Sequence, residues 1–212
     1  MNILIYGKGD FAKLILTYLN DDEQYNVIGF CADSKYVDGP EYLGYPLYNI
    51  DQVSEFVDVD STGFFIAVGY SSMSARKMMF DKVATKGYRL INIYCRGSNI
   101  HHTVETGVNN IFMPQTLIEP FSKIGNNNIF WSSSLICHDT EVKDHNFFAS
   151  QSIVGGFTKI GSCNFFGFKS TVVDNLTVDN FIVLGASSTL LSNALQEGKY
   201  FGIPAKLYNK EK

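Results

Sequence analysis

The spacing of apolar residues along the chain changes character near Ser98. Beyond it, a step of six from Ile118 lands on Ile124, Phe130, Ile136, Val142, Phe148, Val154, Ile160, Phe166, Val172, Val178, Leu184 and Leu190. With 45% apolar residues overall, chance gives such a run about once in 10⁴ sequences. Glycine follows the apolar position at Gly125, Gly155, Gly161, Gly167 and Gly185. A six-residue period means a short strand and a corner. Three of these close a triangular coil, so the chain returns to the same place about every 18 residues, which predicts a hexapeptide parallel β-helix. One apolar side chain per hexad points inward, and coils stack at the ~4.8 Å strand spacing. A β-sandwich with irregular turns would not hold one register for so long.

The first part of the chain has a different pattern. Strand-like runs at residues 3–6, 27–31, 64–68 and 90–94 alternate with helical segments, the α/β signature. The spacing predicts a helix over 10–20 with Phe11, Leu14, Ile15 and Leu19 on its buried side, a second over 73–85 and a short one over 51–56. The expected architecture is therefore α/β plus β. Residues 1–97 form a small Rossmann-like domain with a mostly parallel sheet, and residues 98–212 form the β-helix.

Charge and composition narrow the function. A formal net charge of −4 with 18% charged residues argues against nucleic acid as the main partner. No apolar run approaches the ~20 residues of a membrane helix, so no membrane insertion is expected. The opening MNILIY lacks the basic flank of a signal peptide and reads as a first strand. The four cysteines (Cys31, Cys95, Cys137 and Cys163) form no CxxC pair. That suits a cytoplasmic protein with neither a metal site nor a disulfide framework.

Within the hexads, SSLICHDTEV places His138 and Asp139 between Ile136 and Val142. The 18-residue register stacks His138 in one column with Pro120, Gly156 and Asp174. A glycine one coil above an imidazole, ~5 Å away, lets a ligand approach the backbone and leaves an amide available to an oxyanion. Asp139 would hold the imidazole in one tautomer, as carboxylates do in hydrolase triads. Neighbours on a flat strand face opposite sides, so this contact requires the pair to sit at a corner. The same alternation disfavours Cys137 as a nucleophile, and it reads as packing.

The stretch YGKGDFAK follows the first strand and opens the first helix. Gly7 and Gly9 permit a tight turn there, with helix N-terminal amides available to phosphate. Asp33, at the end of the second strand, is placed for a ribose hydroxyl or a base edge. Gly69, Tyr70 and Arg76 lie in the loop VGYSSMSARK after the third strand, where ligands of open α/β sheets gather. A dinucleotide-dependent dehydrogenase needs about twice this much α/β chain; a mononucleotide or nucleotide-sugar cradle fits the space better.

GKGDFAK, AVGYSSMSARK, ICHDTEVKDHNFFASQSIVGGFTKIG and YFGIPAK together span nearly the whole chain. With them it resembles the two-domain bacterial nucleotide-sugar acetyltransferases related to the sialic-acid O-acetyltransferases. The resemblance implies a left-handed β-helix and a homotrimer with each active site between two β-helices. It also implies acetyl-CoA-dependent acetylation at the C4 amine of a UDP- or dTDP-linked 4-amino-4,6-dideoxyhexose, as in O-antigen biosynthesis. His138 then matches the general base, Asp139 its acidic neighbour and Gly156 the amide that contacts the thioester carbonyl. Gly7, Gly9, Asp10, Phe11 and Asp33 match nucleotide-sugar positions, while Phe157, Ile203, Pro204, Ala205 and Lys206 match the stretch that lies along coenzyme A.

This chain departs from the family pattern at three places: Phe147 where many relatives carry a second histidine, Phe11 where a histidine is common, and Trp131 where some place an asparagine. The same base and oxyanion donor would equally serve a sugar O-acetyltransferase. A non-catalytic nucleotide-sugar-binding protein is the alternative from another class.

Overall fold

The computed structural model of the protein describes residues 1–68 and 72–208. The chain divides into two compact units, Met1–Cys95 and Arg96–Lys212.

In the first unit, β1 (Asn2–Tyr6), β2 (Asn26–Ala32), β3 (Glu41–Tyr42), β4 (Tyr45–Asn49) and β5 (Gly63–Ile66) form one sheet in the order β3-β4-β2-β1-β5. The β1–β2, β1–β5 and β2–β4 pairs are parallel, and only β3–β4 is antiparallel. β1 and β5 are apolar and buried almost throughout, as expected of strands covered on both faces. α1 (Asp10–Asn20) buries Phe11, Ala12, Ile15, Leu16 and Leu19, while Leu14 is only half-buried. α2 (Met73–Ala84) starts at Ser72, whose hydroxyl accepts a hydrogen bond from the Ala75 N–H, an ordinary N-cap.

The sequence expectation differs from the structure in three elements here. The hairpin of β3 and β4 was not anticipated, because Gly44 and Pro46 interrupt the apolar pattern. The short helix expected over 51–56 is a single 3₁₀ turn, Val53–Glu55. The expected strand over 90–94 contributes an isolated bridge from Leu90 to Phe64 and a two-residue strand, Ile93–Tyr94.

The second unit is a parallel β-helix. Two-residue strands stack in steps of eighteen, as in Leu117↔Leu135↔Ile153↔Thr171 on the first face. Lys123↔Glu141↔Lys159↔Thr177 make up the second face, and Ile111↔Ile129↔Phe147↔Phe165 the third. All the hexad positions from Ile118 to Leu190 lie in one buried core. Within it Phe112, Phe130, Phe148 and Phe166 stack with ring centroids 5.0, 4.8 and 4.6 Å apart.

Two devices make the corners. Every sixth residue from Asn109 to Ser187 has a left-handed backbone with φ between 55 and 64°, and none of them is glycine. Each costs of order 1 kcal/mol, and the hydrogen bonds between coils offset it. Asn110, Asn128, Asn146 and Asn164 point inward at one corner, and each side-chain oxygen accepts the backbone N–H one coil above at 2.7–2.9 Å. Buried backbone N–H groups are thereby satisfied where the strands break.

Candidate active site

His138 lies between strands Leu135–Ile136 and Glu141–Val142, at the corner joining the first and second faces. Asp139 is the left-handed corner residue, φ 55°, so the two neighbours do not alternate as they would on a flat strand. Its Oδ2 stands 3.0 Å from His138 Nδ1. A carboxylate at Nδ1 favours the proton there and leaves Nε2 with its lone pair. Both side chains are exposed, the imidazole at 49%, and so accessible to a substrate.

Gly156 occupies the next coil of the same column. A Cβ added there would lie 3.0 Å from His138 Cε1, 3.2 Å from Nε2 and 3.2 Å from the His138 carbonyl oxygen. The imidazole therefore packs into space that only glycine leaves open. The Gly156 carbonyl accepts from the Asn175 N–H at 2.9 Å, whereas its own N–H meets no acceptor among the described residues. Phe157, the next corner residue, sets its half-exposed ring edge-on to the imidazole, centroids 5.2 Å apart at 84°. An imidazole, a carboxylate on its other ring nitrogen and an unclaimed amide thus meet at one corner.

Below this corner sits Glu119, which the sequence reading missed. Its Oε2 accepts the His138 backbone N–H at 3.0 Å. Cys137 carries no sign of a reactive nucleophile: burial first, then the nearby Glu119 carboxylate, push its thiol up. Column arithmetic run on Cys137 would have led to Glu119, one coil beneath it.

The tail residues have a separate address. The segment Gly198–Gly202 extends the third face, and Ala205–Leu207 pairs back on it. Ile203 is 72% exposed and Ala205 buried, with Pro204 and Lys206 exposed between and beyond them. The third face lies opposite the His138 corner, so one chain does not bring the tail to the imidazole. Trp131 and Phe147 pack together on that third face, centroids 5.8 Å apart, and Phe147 stacks on Phe165.

In the first unit a cleft of about 640 Å³ is lined by Gly7, Lys8, Gly9, Asp10, Phe11 and Asp33, with Tyr6, Tyr36 and Met79 among its other walls. That volume is in the range of small-molecule sites. Gly7 has φ +130°, and a Cβ there would stand 2.8 Å from the Ala67 carbonyl oxygen, so the turn from β1 into α1 requires glycine. A Cβ at Gly9 would meet nothing within 4 Å; the protein's own packing does not demand that residue. Asp33 Oδ1 accepts from the Tyr6 hydroxyl at 2.8 Å and from Lys82 Nζ, and its Oδ2 has no partner among the described residues. Burial alone would raise the Asp33 carboxyl, but the hydrogen bonds from Lys82 and Tyr6 outweigh it and hold the group below its ordinary value. The Tyr6 hydroxyl is pushed up, by burial and then by Asp33.

Arg76 is buried on α2 at 2% exposure, with Nη1 3.9 Å from Met73 Sδ, and it is not among the cleft-lining residues. Gly69 and Tyr70 lie outside the described residues. No signal in the sequence marked Lys82, because only the packing of α2 brings it to β2. Among the described residues no group of three or more His, Cys, Asp or Glu side chains is placed to hold a metal ion. No described helix is long and apolar enough to cross a membrane.

Residues 2–83 match the family described as the PglD N-terminal domain. No curated protein sequence matches the chain. Among solved structures, PerB from Caulobacter crescentus in complex with CoA and GDP-perosamine superposes with a TM-score of 0.85 at 20% identity, over 99% of this chain and 98% of that one. The acetyltransferase domain of PglB from Neisseria gonorrhoeae FA1090 gives 0.85 at 16% identity, over 98% and 99%. WeeI from Acinetobacter baumannii AYE gives 0.82 at 19% identity, over 98% and 100%. The chain is therefore similar over residues 2–83 to the PglD N-terminal domain, and over 98–99% of its length it shares the fold of these structures, here a small α/β unit followed by a hexapeptide-repeat β-helix.

Proposed function

We propose that the protein is an acetyl-CoA-dependent N-acetyltransferase acting on the C4 amine of a nucleotide-linked 4-amino-4,6-dideoxyhexose. The single observation that carries this reading is His138 Nε2 facing Gly156, with Asp139 on the other ring nitrogen. In the proposed reaction the sugar amine attacks the thioester carbon, forming the C–N bond. The carbonyl oxygen becomes an oxyanion that the Gly156 N–H stabilises. His138 Nε2 takes the proton lost by nitrogen, the C–S bond breaks, and the thiolate leaves and is protonated to give CoA. The match, over 99% of this chain, to the GDP-perosamine N-acetyltransferase from Caulobacter crescentus in complex with CoA and GDP-perosamine supports this assignment of donor and acceptor.

The nucleotide-sugar would lie in the cleft of the first unit, its phosphates near the α1 N-terminus beyond Gly9 and a base edge or ribose hydroxyl at Asp33 Oδ2. UDP and dTDP are the nucleotides that the family resemblance implies, and the GDP-sugar in the Caulobacter structure adds a third. Because the tail lies on the face opposite the His138 corner, we infer that a second copy completes the coenzyme A site, in keeping with the expected homotrimer.

The test is CoA release from acetyl-CoA against UDP-, dTDP- and GDP-linked 4-amino sugars, run beside the matching 4-hydroxy sugars. Turnover on at least one amine is expected. Turnover confined to hydroxyls would move the reading to an O-acetyltransferase. Tight sugar binding with no acetyl-CoA binding would make the chain a non-catalytic nucleotide-sugar-binding protein.

A further inference from the structure

Two backbone amides stacked in one column of the β-helix meet opposite fates. His138 and Gly156 are one coil apart. The residue 19 positions before His138 is Glu119, whose carboxylate spans to the next coil and accepts the His138 N–H at 3.0 Å. The residue in the same relation to Gly156 is Cys137, and no hydrogen bond joins its short side chain to the Gly156 N–H. One amide is tied down and the other is left open. Corner amides elsewhere are bound by side chains from either neighbouring coil: from above, Asp144 takes the Asn126 N–H, Ser162 the Asp144 N–H and Asn180 the Ser162 N–H, and from below, Thr103 takes the Phe121 N–H and Asn110 the Asn128 N–H. At this corner the residue above His138 is Gly156, which has no side chain to offer, so the anchor has to come from below.

The ring needs such an anchor. Its exposed side has the Phe157 edge and Asp139 against it, and Asp139 belongs to the same corner and gives no hold from another coil. Pro120, directly beneath His138, has no N–H to donate, and its carbonyl is taken by the Asp139 N–H at 3.1 Å. A charge-assisted hydrogen bond to the His138 amide is stronger than a neutral one, and fixing that amide fixes the Cα from which the imidazole projects.

We infer that Glu119 is a positioning residue: it holds the His138 backbone so that Nε2 stays against Gly156 while the Gly156 amide remains free. The inference rests on the proposed acetyl transfer for its kinetic consequence, and on geometry alone for its structural one.

The experiment compares E119A, E119Q and the unaltered full-length chain. E119A should lower kcat roughly 10-fold, with KM for both substrates within about twofold, because the residue acts on the base and not on either ligand. E119Q retains a side-chain oxygen that can accept the His138 N–H and should recover most of that loss. Should E119A not fold, E119D serves instead, since its carboxylate is one methylene too short to span the coils, and a similar kcat loss is expected. Wild-type kcat in E119A, a loss confined to KM, or E119Q as impaired as E119A would each overturn the assignment. A readout independent of turnover is the pair of His138 imidazole ¹⁵N resonances. They should shift or broaden in E119A and not in E119Q, and unchanged resonances in E119A would overturn the positioning role. A wild-type chain that acetylates nothing would sink the proposed function, and these resonances would still decide the role of Glu119.

Discussion

Asp139 reaches Nδ1 of His138, its immediate neighbour in sequence, at 3.0 Å because its backbone is left-handed with φ 55°. On an extended strand the two side chains would diverge to opposite faces. The repeating corner of the β-helix therefore creates the His138–Asp139 contact, and the proposed chemistry depends on the coil geometry at that one residue.

The histidine should dominate the kinetics. H138N is expected to lower kcat roughly 10²–10⁴-fold, the usual contribution of a positioned base, with nucleotide-sugar affinity nearly unchanged. D139N should cost less, because the base remains, but an asparagine can present its NH₂ to Nδ1 and favour the wrong tautomer. Steady-state kinetics together with calorimetric binding of the sugar nucleotide separate the two effects. An H138N enzyme at full speed would remove the base assignment.

Gly156 can be probed with a single methyl group. In G156A the new Cβ would stand 3.0–3.2 Å from the imidazole and the His138 carbonyl, closer than ordinary van der Waals contact. The ring has to swing away, since the carbonyl belongs to the coil and cannot. The expected outcome is a kcat loss of about 10-fold or more with a modestly lowered melting temperature, because the ring can swing away while the tight contact with the carbonyl remains. A crystal structure of the variant with the imidazole unmoved would contradict this.

Much of this arrangement was legible from the sequence because the β-helix is quasi-one-dimensional. Once the hexad fixed the register, Ile136, His138 and Gly156 had addresses without any tertiary information. The first unit allowed no such arithmetic. Lys82 meets Asp33 only because α2 packs against β5 and carries Lys82 to the end of β2, and Arg76, placed by sequence in the ligand-gathering loop, is buried on α2. The β3–β4 hairpin was hidden by Pro46, which stands near the start of β4 ahead of Leu47, the first β4 residue paired with β2, where a proline is tolerated. Glu119 was within reach of the column arithmetic, but its role depends on a side chain spanning two coils, which spacing alone does not reveal.

Asp33 gives the first unit a defined acid sensitivity. Its carboxyl is held below its ordinary value when folded, while in the unfolded chain it titrates near ~3.9. Its contribution to stability is therefore complete above the unfolded value and is lost as pH falls through the lower, folded value. D33N should destabilise the chain at neutral pH by about 1–3 kcal/mol, since it weakens the hydrogen bonds of Tyr6 and Lys82. The gap to wild type should shrink as pH drops below about 4. Urea unfolding from pH 3 to 7 measures this directly, and a gap that widened toward acid would reverse the sign. The same variant should raise KM for the nucleotide-sugar and leave KM for acetyl-CoA alone.

The asparagine ladder gives a test in which stability and catalysis separate. Asn146 accepts the Asn164 N–H at 2.9 Å through its side-chain oxygen, while its Nδ2 donates to the Gly161 carbonyl at 2.9 Å. Its own N–H is held by Asn128 at 2.8 Å, and all three asparagines are buried. N146A leaves a buried donor and a buried acceptor without partners, each costing roughly 1–3 kcal/mol, and it opens a small cavity. N146D keeps the acceptor, but it buries a carboxylate and loses the donor, so it should be at least as destabilising near neutral pH and recover partly in acid as the group protonates. Because the ladder lies at a different corner from His138, N146A that remains folded should keep kcat within about twofold. Loss of catalysis without loss of stability in N146A would mean that the corners of a coil are coupled, and the independent addresses assigned by the hexad would not hold.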